Sequence, residues 1–68
     1  MTDEQRVKEK YPDAHEHWKA SEQPLCQIID GKGNELGCTQ RRGNEVFADI
    51  IGRAWADAVR RLEQGRDA

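Results

Sequence analysis

Apolar residues are sparse in this chain, and their longest regular run lies in its C-terminal third. Val46, Phe47, Ile50, Ile51, Ala54, Trp55, Ala58, Val59 and Leu62 recur at steps of three and four, the period of a helix with one buried side. The pattern predicts a main helix over 44–64, with Asn44 as N-cap, Glu45 at the positive end of the dipole and Gly65 as a left-handed C-cap. Upstream the period changes. Leu25 to Asp30 and Glu35 to Gln40 read as two strands joined at Gly31-Lys32-Gly33, a three-residue hairpin turn with Gly33 in the left-handed position. If Asp30 faces Asn34, then Ile28 faces Leu36 and Cys26 faces Cys38, and all four side chains share one apolar face. A slip of one residue pairs Gln27 with Cys38 and Leu25 with Gln40, which scatters the apolar positions. The first register is therefore expected, with Ile29 on the opposite face.

The N-terminus opens on Thr2-Asp3-Glu4-Gln5, the form of a capping box. It predicts a helix over 2–11, with Val7 and Tyr11 on its inner side and Pro12 as its stop. The segment 14–19 fits two patterns. As a helix, Ala14 and Trp18 extend the stripe of Val7 and Tyr11. As a strand, Ala14, Glu16 and Trp18 share one face, and His15, His17 and Lys19 the other. Residues 21–24 read as a loop and 66–68 as a frayed tail.

On the main helix the apolar arc is wider than a small sheet can cover. Ala48, Gly52 and Ala56, spaced by four, form a smooth strip beside Trp55. This strip has room for a second helix, and it raises the expectation of a homodimer through the main helix. The alternative is that the strip faces solvent, alanine being the best helix former. Glu45, Asp49, Arg53, Asp57 and Arg61 follow one another at steps of four. Asp49–Arg53 and Asp57–Arg61 are acid-before-base pairs of the kind found on solvated helix faces.

Composition narrows the function classes. The chain has 68 residues, 35% hydrophobic and 35% charged, with a formal net charge of −2. One small domain is the most it can form, and its core is thin enough that a partner or second copy would help. No overall basic excess favours non-specific nucleic-acid binding. No apolar run approaches a membrane span and the N-terminus has no apolar leader, so a cytoplasmic protein is expected. Two cysteines make no disulfide framework.

Candidate chemistry is limited. His15, His17, Cys26 and Cys38 are the residue types of a zinc site, but the cysteines are not closely spaced as structural zinc ligands are, and no metal site is expected. Nothing resembles a nucleophile loop or a phosphate loop, and no carboxylate pair falls on a buried face. The expectation is a protein without catalysis and without a cofactor. Lys32 at the hairpin tip, with Arg41 and Arg42 before the main helix, would supply a modest basic edge for a nucleic acid.

Tyr11-Pro12-Asp13-Ala14, Leu36-Gly37 and Ala54-Trp55-Ala56-Asp57-Ala58, in that order over most of 9–62, resemble the motifs of a class of small phage and prophage proteins of unknown role. The resemblance implies a strand at 14–19 and an α+β fold, α-β-β-β-α, with an antiparallel sheet and both helices packed on one face. It implies a phage accessory product that binds and inhibits or modulates a host protein, such as a defence system, in the manner of anti-CRISPR proteins, in the host cytoplasm. The candidate contact residues are His15, His17, Gln27, Ile29 and Thr39 on the sheet face, or Asp49, Arg53 and Asp57 on the helix ladder. The alternative is a shortened relative of the double-stranded-RNA-binding domain using Lys32, Arg41 and Arg42.

Overall fold

The computed structural model describes residues 2–20 and 22–65, and the predicted tail lies outside them. The order is α1 (Asp3–Lys10), β1 (His15–Lys19), β2 (Leu25–Ile29), β3 (Glu35–Gln40) and α2 (Phe47–Gly65). The strands form one antiparallel sheet in the order β1-β2-β3. This is the expected α-β-β-β-α arrangement, an α+β domain with its helices on one side. Residues 14–19 resolve in favour of the strand.

Helix α1 begins as its sequence requires. The Thr2 side chain accepts from the Gln5 N–H at 3.2 Å, and the Thr2 N–H donates to Gln5 Oε1 at 2.9 Å, a complete capping box. Tyr11 ends the helix, its N–H donating to the Val7 carbonyl at 2.8 Å. Val7 is fully buried. It joins Ala14, Cys26, Ile28, Ile50, Ala54, Trp55, Ala58 and Val59 in a single core. Helix α2 lies across β3 and β2, and α1 packs against its flank.

The hairpin keeps the expected turn and abandons the expected register. The Asp30 carboxylate accepts from the N–H groups of Lys32 and Asn34 at 2.8 and 2.9 Å, and Gly33 takes φ +86°. The Asp30 N–H donates to the Asn34 carbonyl at 3.1 Å, so these two residues do face each other. Beyond Ile29 and Glu35 a β-bulge shifts the pairing. Ile28 then meets Gly37, Cys26 meets Thr39, Gln27 meets Cys38 and Leu25 meets Gln40. This is the pairing that the hydrophobic pattern argued against. The physical reason is at Gly37. A Cβ there would lie 2.6 Å from the Ala58 nitrogen and 2.8 Å from the Ala54 carbonyl oxygen. The helix backbone therefore rests on β3 at the one residue without a side chain, and the bulge is what brings that residue to the covered face. Leu36 still packs against the core.

Helix α2 starts three residues later than Asn44, at Phe47. Residues 41–46 form an irregular connection in which Gly43 has φ +59° and the Glu45 carboxylate accepts from the Arg42 N–H at 2.7 Å. Asn44 is thus no N-cap. Val46 and Phe47, expected in the buried stripe, stand 61% and 59% exposed. Gly65 stays helical and does not turn left-handed. Ala48, Gly52 and Ala56 are all exposed, and a Cβ on Gly52 would meet nothing within 4 Å. The strip faces solvent in this structure.

Candidate docking surface

Because both helices occupy one side, the other side of the sheet is open. Strand alternation assigns the residues to it. On β1 they are His15, His17 and Lys19, paired respectively with Ile29, Gln27 and Leu25 of β2. Gln27 in turn pairs with Cys38, and Ile29 with Glu35. Four of the five predicted sheet-face residues, His15, His17, Gln27 and Ile29, are therefore brought together. Thr39 is not among them. The register shift places it opposite Cys26, on the helix side, and puts Cys38 in its place on the open face.

The open face has a half-buried apolar centre and polar margins. Leu25 and Ile29 are partly exposed, whereas His15, His17 and Lys19 are fully on the surface. His15 Nδ1 sits 2.9 Å from the Asp13 carbonyl oxygen, which orients that ring. Glu35 is drawn away from the margin. It accepts from Gln27 Nε2 at 2.7 Å and from Arg61 at 2.9 Å. The Arg61 and Gln27 hydrogen bonds hold its carboxyl below the usual carboxylate range. With Glu35 neutralised, Lys19 is the unpaired charge on this face among the described residues.

The helix ladder has a different role from the one its spacing suggests. Arg53 pairs with Glu45 at 2.6 Å, not with Asp49, and also donates to the Gln40 carbonyl at 2.9 Å. Asp57, its side chain only 14% exposed, accepts from the Cys38 N–H at 2.9 Å and pairs with Arg60 and Arg61. Burial alone would raise the Asp57 carboxyl, but the Arg60 contact, the Cys38 N–H and the Arg61 charge outweigh it and hold it low. Arg53 and Asp57 are thus committed to the edge of β3. Only Asp49 is free on the surface, as a solvated ladder would have it.

The basic residues do not form one edge. Lys32 lies at the hairpin tip and Arg41 follows the far end of β3, a strand of six residues, so about 20 Å separates them along the strand. Arg41 is half-buried with its Nε enclosed and unpartnered, whereas Arg42 is exposed and donates its backbone N–H to Glu45.

The would-be zinc ligands also diverge. Cys26 faces the helices while His15, His17 and Cys38 face outward, and both cysteines are free thiols. Among the described residues no group of three ligand side chains could hold a metal ion. Burial, with the Glu16 carboxylate nearby, pushes the Cys26 thiol up to about 11, so it stays protonated at neutral pH.

One surface feature has no counterpart in the hydrophobic pattern. Trp18, Lys19, Ala20, Pro24, Phe47 and Ile51 line an open apolar groove of about 550 Å³. Trp18 and Phe47 meet edge to face there, with ring centroids 5.2 Å apart. The signal that could have shown it is the pairing of Trp18 with the first residues of a helix that begins later than its apolar run. Among the described residues no helix is long and apolar enough to cross a membrane. Comparisons with family models, with curated proteins and with solved structures gave no match.

Proposed function

We propose that the chain is a non-catalytic, phage-type accessory protein that binds a host protein in the cytoplasm and inhibits or modulates it. The observation that carries this reading is the uncovered sheet face, where His15, His17, Gln27 and Ile29 lie side by side. An apolar centre with a polar margin is the make-up of a protein-binding surface. The partner that fits is a folded protein presenting an apolar centre beside an acidic rim, since Lys19 and the two histidines bound the face and Glu35 is already neutralised by Arg61. The resemblance to small phage proteins supports the same class, and a defence complex is the kind of host target it suggests.

The test is capture from a bacterial lysate, nuclease-treated and untreated, by the wild type and by the double variant H17A/I29A. A stoichiometric protein partner that survives nuclease and is lost with the folded double variant supports the proposal. Equal capture by both proteins removes this face from it. Recovery of nucleic acid alone overturns the reading.

A further inference from the structure

The two edges of the sheet are finished differently, and the difference identifies a second docking element. At β3 the outward groups are taken by α2, through Cys38 N–H to Asp57 and Arg53 to the Gln40 carbonyl. At β1 they can be located by alternation. Pro24 O accepts from the Arg41 N–H, and the Asp30 N–H donates to Asn34, so even-numbered residues of β2 bond towards β3. Leu25, Gln27 and Ile29 then bond towards β1, and their partners Lys19, His17 and His15 point their backbone groups inward. Glu16 and Trp18 are left with N–H and C=O groups directed outward. Among the described residues no backbone partner takes them, and the next outward group, the Ala14 N–H, is already bound to the Tyr11 carbonyl at 2.9 Å.

We propose that β1 pairs antiparallel with β1 of a second copy of this chain, on a two-fold axis through His17. Two free residues placed symmetrically about His17 are self-complementary. The axis sets Glu16 against Trp18 of the second copy and Trp18 against Glu16, so every outward N–H meets an outward C=O. A pairing offset by two residues in either direction leaves part of this set unmatched.

The helix layer points to the same occupant. Helix α2 packs mainly on β3 and β2 and meets β1 through Phe47 at Trp18, where the groove lined by both opens. A two-fold axis normal to the sheet keeps both helix layers on one side. The two grooves then face each other above a continuous six-strand sheet. The Trp18 rings become diagonal neighbours across the new pair, within reach of aromatic side chains. Phe47, 59% exposed, lines this cleft, and Val46 beside it in the chain is exposed as well. A foreign strand would satisfy the edge but would bring no second apolar groove. The interface differs from the smooth strip on α2, and it stands independently of the open-face reading, because its readout is mass and not capture.

Sedimentation equilibrium compares the wild type with Glu16→Pro over micromolar to millimolar concentrations. Proline at Glu16 removes one outward N–H and no bond to β2, a place where edge strands accept it. The expected result is a two-chain species for the wild type and its loss in E16P, with an unchanged circular dichroism spectrum. A wild type that stays at one-chain mass to millimolar concentration overturns the proposal, as does an E16P protein that dimerises equally well. If E16P does not fold, amide exchange of the wild type decides. Protection of the Glu16 and Trp18 amides that grows with concentration supports the pairing, and concentration-independent exchange rejects it.

Discussion

The edge at β3 and the edge at β1 are built from the same kind of strand and end in opposite states. Strand β3 carries a glycine that admits the helix backbone, and α2 reaches over it to satisfy the outward groups with Asp57 and Arg53. Strand β1 is met by α2 at the start of the helix, where Phe47 touches Trp18. Edges of sheets are commonly closed by covering or by charge. Here one edge is closed by side chains of α2 and the other is left with two residues free. The lesson is that an acid–base ladder on a helix need not be solvent decoration. Two of its members replace the strand that β3 lacks.

The largest effect should come from closing the gap that lets α2 approach. Gly37→Ala puts a methyl group against helix backbone that cannot move aside. It should cost about 3 kcal/mol, the upper end of ordinary overpacking, read by urea unfolding; a change within experimental error would mean that α2 does not rest on β3. Next is Asp57→Ala, which orphans the Cys38 N–H and Arg60 and leaves Arg61 with Glu35 alone. A loss of about 2 kcal/mol is expected, and Asp57→Asn should recover part of it. The carboxyl of Asp57 is held low in the folded state. Its contribution is therefore present above the unfolded-state value of about 4 and is lost as pH falls through the lower folded value. The acid limb of the stability curve should flatten in Asp57→Asn, and an unaltered limb would assign that titration elsewhere.

Smaller effects separate the covered glycine from an open one. Gly52→Ala adds a methyl group to open space on an exposed helical face. It should raise stability by about 0.8 kcal/mol, the difference in helix propensity, so one substitution type changes sign between β3 and α2. A destabilised Gly52→Ala protein would show that a second surface covers the strip. Phe47→Ala is expected to be the mildest, about 0.5 kcal/mol for an exposed ring with one aromatic neighbour. A loss several times larger that appears only at high protein concentration would place Phe47 in the interface between copies.

The residue sequence by itself determined the elements and most of their faces. The capping box at Thr2, the stop at Tyr11-Pro12, the Asp30-to-Asn34 turn and the apolar stripe of α2 from Ile50 to Leu62 are local chemistry, legible in neighbouring residues. The alternation of β1 was legible once a strand was assumed, and with it the company of His15, His17, Gln27 and Ile29. What only the tertiary structure decided was the bulge, and with it the exchange of Thr39 for Cys38 on the open face. Hydrophobic matching favoured Leu36 opposite Ile28, because a pattern weighs side chains against one another. The fold weighed backbone approach instead. Gly37 contributes nothing to a hydrophobic count, yet it is the residue that Ala54 and Ala58 of α2 must touch. The late start of α2 and the commitment of Arg53 and Asp57 to β3 are likewise tertiary. They depend on distances between residues far apart in the chain, which no local period records.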